Sequence, residues 1–166
     1  MIVVVMGVSG VGKTTVGRIL AERLGAVFLE GDKFHPPENV AKMSTGTPLT
    51  DEDREPWLRA LAGEAERCAA QGRNVVIACS ALKRSYRQVL TERAAMRFVH
   101  LTGDPALIKA RLDARVGHYM PPALLPSQLA TLEPPRADEG AVVIDIAAEP
   151  DVLIDRILAA LRAPVA

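Results

Sequence analysis

The sequence predicts an α/β protein of three layers, a parallel sheet with helices on both faces. Three observations predict it. Gly7-Val8-Ser9-Gly10-Val11-Gly12-Lys13-Thr14 fits G-x-x-x-x-G-K-[ST]. It lies between the β-branched run Ile2-Val3-Val4-Val5 and a helical stretch from Thr15 to Leu24, the strand–loop–helix setting this motif requires. Short apolar runs then alternate with helical periodicity along the whole chain. Finally, those runs are nearly continuous in apolar residues rather than alternating, as in strands covered on both faces.

In chain order, the first strand is Ile2–Met6 and the first helix Lys13–Leu24, which Gly25 stops. A strand follows at Val27–Glu30. The next helix is expected over Asp53–Gln71, with Thr50 and Asp53 as a capping pair, Pro56 tolerated near its start and Gly72 at its end. Strand Asn74–Cys79, helix Lys83–Arg93, strand Arg97–Leu101 and helices Pro105–Arg115 and Pro126–Leu132 come next. Strand Ala141–Ile146 and helix Asp151–Leu161 close the pattern. Two stretches resist simple β–α linkage, Lys33–Thr50 and Val116–Pro135. Both are polar, rich in Pro or Gly, and longer than ordinary connections. Such insertions in an α/β enzyme carry substrate contacts or a lid. The chain reads as one domain over 1–166 with a lid at about 116–135.

Composition narrows the functional classes. The 166 residues suffice for a substantial core, and with aromatics at 4% that core must be built from Val, Leu, Ile and Ala. Twenty Lys+Arg balance twenty Asp+Glu, which gives no support to a nucleic-acid partner. Cys68 and Cys79 have no metal-ligand spacing and read as reduced, buried thiols of a cytoplasmic protein. The N-terminus lacks a signal-peptide pattern, and no apolar stretch is long enough to span a bilayer, so no membrane role is expected.

The glycine loop implies a nucleoside triphosphate. Its glycines let backbone N–H groups wrap phosphate oxygens, and the helix N-terminus behind it adds partial positive charge. Gly7 through Thr14, with Thr15 behind them, form the expected cradle. Lys13 reaches the β- and γ-phosphates, and the Thr14 hydroxyl can ligate Mg²⁺.

Further motifs sit at strand ends, where open α/β sheets bind ligands. Glu30-Gly31-Asp32 closes the second strand, and Asp32 is suited to a substrate hydroxyl or a Mg²⁺ water, unless it is a solvated turn acid. His35 is either a ligand contact or a local packing group. Acids at 51–53 favour a helix start but do not explain Arg54; Trp57 and Leu58 are expected in the core. After the third strand come Ser80, a contact or an N-cap, then Lys83 and Arg87. Four residues apart, these two share a helix face and suggest an anion pocket, with a solvated basic face as the alternative. Arg111 and Arg115 also share a face, and arginine both stacks on aromatic planes and forks onto phosphate. Gly117 and the prolines beyond it fit a hinged flap. No guanine-reading N-K-x-D motif is present.

With these residues assembled, the chain resembles the gluconokinase family of the thermoresistant type, from Val5 to about Leu161. The resemblance rests on Gly7–Thr14, on G-D-x-x-H-P at Gly31–Pro36, and on K-M-x-x-G-x-P-L-x-D-x-D-R-x-P-W-L at Lys42–Leu58. C-S-A-L-K at Cys79–Lys83, Tyr86-Arg87 and R-L-x-x-R-x-G-H at Arg111–His118 complete it. Shikimate- and adenylate-kinase relatives look similar in architecture but lack the run from Lys42 to Leu58. The resemblance implies a phosphate-loop kinase fold with a five-stranded parallel sheet in the order 2-3-1-4-5, a mobile lid and a homodimer. It implies ATP- and Mg²⁺-dependent phosphorylation of D-gluconate to 6-phospho-D-gluconate, in gluconate catabolism. Lys13, Asp32 and Arg115 are then the catalytic candidates. Asp32, His35, Arg54, Ser80, Lys83, Arg87 and, near the lid, Gln128 are the candidates for the sugar acid. Arg111 and Arg115 are those for the nucleotide. The family's D-G-D is Glu30-Gly31-Asp32 here, which weakens a direct role for Glu30. A same-fold kinase of shikimate, a nucleotide or adenylyl sulfate, and a nucleotide-dependent switch without a second pocket, are the competing readings.

Overall fold

The computed structural model describes residues 1–115 and 121–163. Its centre is a five-stranded parallel sheet in the order β2-β3-β1-β4-β5, as the resemblance implies. The strands are β1 (Ile2–Met6), β2 (Val27–Glu30), β3 (Val75–Ala78), β4 (Arg97–Thr102) and β5 (Val142–Asp145). Side chains of β1 point alternately to the two faces, yet Val3 through Met6 are all fully buried, so both faces are covered. The register sets Val5 and Glu30 each beside Ala78. The residues that follow β1, β2 and β3 therefore gather at the carboxyl end of the sheet, and the glycine loop, Gly31 and Cys79 meet there.

The helices are α1 (Lys13–Leu24), α2 (Pro37–Ser44), α3 (Asp51–Ala70), α4 (Arg84–Thr91), α5 (Pro105–Asp113), α6 (Leu125–Thr131) and α7 (Pro150–Arg162). Helix α3 starts at Asp51, two residues before the expected start. The capping box explains this: Asp53 N–H donates to Thr50 Oγ1 (3.1 Å) while Thr50 N–H donates to the Asp53 carboxylate (2.8 Å), so Asp53 is the third helical residue, not the first. Pro56 is accommodated inside α3. The stretch Lys33–Thr50, which does not fit simple β–α linkage, contains α2. Pro37 opens it, with φ preset for the first helical position. The segment expected as a lid contains a 3₁₀ turn at Pro122–Leu124 and then α6; Val116–Met120 lie outside the described residues. The core is mainly aliphatic, with Trp57, Tyr86 and Phe98 as its buried aromatics. Cys68 and Cys79 are both buried and free, and burial pushes the Cys79 thiol up to about 12.

Arg87 corrects the sequence reading. It does not face the cleft at the loop. Its side chain is 2% exposed, and Nε and Nη2 grip the Glu139 carboxylate at 2.6 and 3.0 Å. Nη1 donates to the carbonyls of Ala81 (3.0 Å), Leu82 (3.3 Å) and Glu133 (3.1 Å). The turn after β3, in which Ala81 takes a positive φ of 45°, is thereby fastened to the chain returning from α6. Removing one partner of a buried, hydrogen-bonded ion pair typically costs about 3–5 kcal/mol. Arg87→Ala is accordingly expected to lower stability by about that amount in urea unfolding. Wild-type stability of this variant would contradict the clamp.

Candidate active site

The phosphate loop is shaped by glycine where nothing else fits. At Gly10, φ is +91° and a Cβ would come 2.6 Å from Leu112 Cγ. Gly12 caps α1 without a side-chain bond, so the opening amides of the helix are left for an anion. Lys13 Nζ donates to the Val8 carbonyl across the loop at 3.0 Å. Burial pulls the Lys13 ammonium below the ordinary lysine range; Asp32 pushes back most strongly, and Arg115 adds to the depression. The Thr14 hydroxyl donates to Glu30 Oε2 at 2.8 Å, so the glutamate that departs from the family pattern touches the residue expected to hold the metal.

The opposite wall is built on the turn after β2. A Cβ on Gly31 would collide with the Ala78 carbonyl oxygen, so only glycine lets this turn press onto β3. Trp57, buried in α3, donates Nε1–H to the Gly31 carbonyl at 2.7 Å. His35 stacks on the Trp57 ring, with centroids 3.9 Å apart and planes 21° from parallel. Burial lowers the His35 pKa to about 4; Asp32 opposes this and Arg54 reinforces it, so the ring is neutral at pH 7. Asn39 Nδ2 faces His35 Nδ1 at 3.4 Å and donates to the Asp53 carbonyl at 2.8 Å. Lys42 pairs with the Asp53 carboxylate at 2.7 Å. Much of the run Lys42–Leu58 is thus scaffold, tying α2 to the start of α3.

These walls enclose one cleft. Lys13, Thr14, Glu30, Asp32, His35, Arg54, Ser80, Arg115 and Gln128 line it, with Met43, Leu49 and Trp57 as apolar surface. Ser80 is a cleft residue and not the helix cap it could have been: Lys83 occupies the N-cap of α4, and the Ser80 carbonyl accepts the Gly7 N–H. Lys83 is not brought to the cleft; its ammonium binds Asp51 at 3.0 and 3.3 Å.

A second cavity adjoins the first across the loop. It is lined by Gly10–Gly12, Thr15, Val16, Arg111, Arg115, Ala148, Pro150 and Leu153. Arg111 is anchored there by a 3.1 Å bond to the Ile146 carbonyl. Arg115 borders both cavities and donates to Ser9 Oγ at 3.1 Å. Gln128 reaches from α6 to accept the Ser9 N–H on Oε1 at 2.6 Å, which brings it to the phosphate loop as well as to the cleft. Met43, Leu49 and Leu124 form a small separate apolar cluster, so the two inserted segments meet beside the cleft. His118 lies outside the described residues. Glu30, Ala148 and Pro150 were not among the expected contacts; the last two have no chemical signature in the sequence.

A family model described as an AAA domain matches residues 2–135. A gluconokinase of Gluconobacter oxydans (strain 621H) is 50% identical over 156 residues, covering 93% of this chain and 88% of that protein. The chain belongs to the gluconokinase family. A solved gluconokinase from Sinorhizobium meliloti 1021 is 47% identical, with a TM-score of 0.86 over 96% of this chain and 90% of that one. An unliganded sugar kinase from Janibacter sp. HTCC2649 is 52% identical, with a TM-score of 0.92 over 96% and 93%.

In this gluconokinase-family cleft the His35 environment makes a pH prediction. Its folded pKa of about 4 lies below the ordinary 6.5, so the unfolded chain takes up the proton first as pH falls. The stability held by the neutral, stacked ring is fully present above pH 6.5 and is lost between 6.5 and 4, at up to about 1.4 kcal/mol per pH unit. His100 is shifted the same way by burial and by Arg87, so the comparison is between wild type and His35→Gln. Urea unfolding from pH 7 to 4 is expected to show the steeper loss in wild type. Parallel profiles would contradict a neutral, partly buried His35.

Proposed function

We propose that the protein transfers the γ-phosphoryl group of ATP to the terminal hydroxyl of D-gluconate, giving 6-phospho-D-gluconate. The observation that carries this reading is the shared cleft. Lys13 of the phosphate loop, Asp32 and Arg54 all line it, so a phosphate site, an acid and a separate cation open into one space. Gluconate is a polyol with one carboxylate, and it needs that set.

Phosphoryl transfer depends on position and charge more than on covalent help. The adenine is assigned to the slot between Arg111 and Ala148–Pro150, and the triphosphate to the loop amides. Lys13 and Arg115 stabilise charge on the transferred group. Thr14 and Glu30 offer oxygens of the kind Mg²⁺ takes alongside nucleotide phosphates, and they would hold the ion, whose role is to neutralise charge on the β- and γ-phosphates. Arg54 takes the gluconate carboxylate. His35 and Ser80 meet its hydroxyls, with His35 available as a neutral partner at pH 7. Asp32 orients the attacking hydroxyl and accepts its proton late, as a loose transition state requires. Arg115 and Gln128 complete the cover on the loop side, and closing the segment around them excludes water that would otherwise take the phosphoryl group. The proposal extends to a cytoplasmic homodimer acting in gluconate catabolism as a single kinase domain. ATP as donor and the free thiols Cys68 and Cys79 support the compartment; the family resemblance supports the dimer.

The test is ADP release by purified protein with ATP and Mg²⁺, offered gluconate, shikimate or nucleoside monophosphates in turn. Release is expected with gluconate alone. Release with shikimate or a nucleotide but not with gluconate overturns the assignment. Asp32→Asn in the same assay is expected to lower kcat about a hundredfold or more with a much smaller change in gluconate KM; an effect confined to KM would make Asp32 only a binding contact.

A further inference from the structure

We propose that Tyr86 and Asp51 are positioning residues that hold the Arg54 guanidinium as reader of the acceptor's carboxylate, and so set the preference for a sugar acid over a neutral polyol; this rests on the sugar-acid kinase reading above. Arg54 borders the cleft, and its charge is felt at His35. Its Nη1 donates to Tyr86 Oη at 2.8 Å, and its guanidinium carbon lies 5.1 Å from the Tyr86 ring centroid. Tyr86 is buried on α4 and 4% exposed, so the phenol is a fixed point.

The polarity of this contact is set from behind. The Tyr86 hydroxyl has one proton, and it donates that proton to Asp51 Oδ1 in a short hydrogen bond. Its lone pairs are left for Arg54, which can only donate. Asp51 is in turn neutralised by Lys83, whose ammonium meets both carboxylate oxygens. The three groups behind Arg54 respond accordingly. The Tyr86 hydroxyl bond, then Lys83, hold the Asp51 carboxyl below its usual range. Asp51 raises Lys83, and burial followed by Asp51 raises Tyr86.

The consequence is electrostatic. A carboxylate gripping Arg54 would position it but cancel its charge. A neutral phenol positions it and leaves the charge to act on an anion. Among the described residues no ion pair involves Arg54. Lys83 is thereby reassigned from substrate contact to counterion of Asp51. The exposed charges of Asp51 and Lys83 are worth little to stability themselves; their use is to commit the phenol proton.

Tyr86→Phe removes the hydroxyl and keeps the ring. Steady-state kinetics with gluconate are expected to show a gluconate KM raised about tenfold, the order of one hydrogen bond to a charged group. The kcat is expected to change less than about threefold and the ATP KM to stay put, as for loss of uniform substrate binding. Discrimination between gluconate and D-sorbitol, its neutral counterpart, falls by the same factor. In an Arg54→Met background the Tyr86→Phe change is expected to do nothing further to gluconate KM. An unchanged KM in the single variant overturns the proposal, and so does an equal rise in both backgrounds, which would mark Tyr86 as merely structural. Lys83→Met raising KM as much as Arg54→Met overturns it as well, by making Lys83 the direct contact. Asp51→Asn, at an exposed position, is the second variant should Tyr86→Phe not hold its fold. It is expected to raise gluconate KM, and a wild-type KM overturns the proposal. Wild-type protein that does not phosphorylate gluconate would overturn the functional reading itself, a result distinct from all of these.

Discussion

One hydrogen bond governs the acceptor side of the molecule: the indole N–H of Trp57 on the carbonyl of Gly31, 2.7 Å and buried. A backbone carbonyl leaving the end of a strand needs a partner when it is buried, and an indole N–H inside a core needs one too. This bond satisfies both. It ties the end of β2 to α3, and it does so where Gly31 already presses on the Ala78 carbonyl. Asp32 follows Gly31 directly, His35 lies flat on the Trp57 ring, and Arg54 precedes Trp57 by about one helical turn. Three chemically different side chains thus take their places from a single junction that contains no reactive group.

Charge in the molecule is organised by what each arginine is given as a partner. Arg87 has a carboxylate and three carbonyls within 3.3 Å, so its charge is spent inside the protein and its work is to clamp chain segments. Arg54 has a phenol, so its charge is directed at the cleft. Arg115 has the hydroxyl of Ser9 on the phosphate loop and stands where the two cavities meet. Lys13 is depressed by burial but kept company by Asp32 and Glu30. The same residue types therefore serve as scaffold and, in the proposed reading, as substrate reader and phosphate ligand, according to whether a carboxylate, a neutral oxygen or an open cavity lies opposite.

The phosphate loop and the strands were legible because their signals are local: a fixed spacing of glycines before Lys13, and unbroken apolar runs. The sheet order was legible only through the family resemblance, since nothing in a strand's own residues names its neighbours. Lys83 and Arg87 misled because four-residue spacing implies a common face only when both lie within a helix. Here the helix begins at Arg84, with Lys83 as its cap, and tertiary packing turns Arg87 inward. That Asp32, His35 and Ser80 would line one cleft was legible from their positions after strands, whereas Arg54 entered only with the family resemblance. Helix α2 was missed because eight residues opened by proline carry little periodicity. Tyr86 was read only as part of a motif, because its use depends on a helix distant in sequence delivering Asp51 and Arg54 to its hydroxyl.

The junction at Gly31 is tested most directly by Trp57→Phe, which keeps an aromatic ring under His35 and removes only the donor. The measurement is kcat for gluconate phosphorylation, with ATP KM and thermal unfolding followed in parallel. The account predicts a folded protein with ATP KM near wild type and kcat reduced about tenfold or more, because a small misplacement of the group that orients the hydroxyl is costly to transfer. A folded Trp57→Phe protein with wild-type kcat would contradict it, by showing that Asp32 and Arg54 hold their geometry without the bond to Gly31.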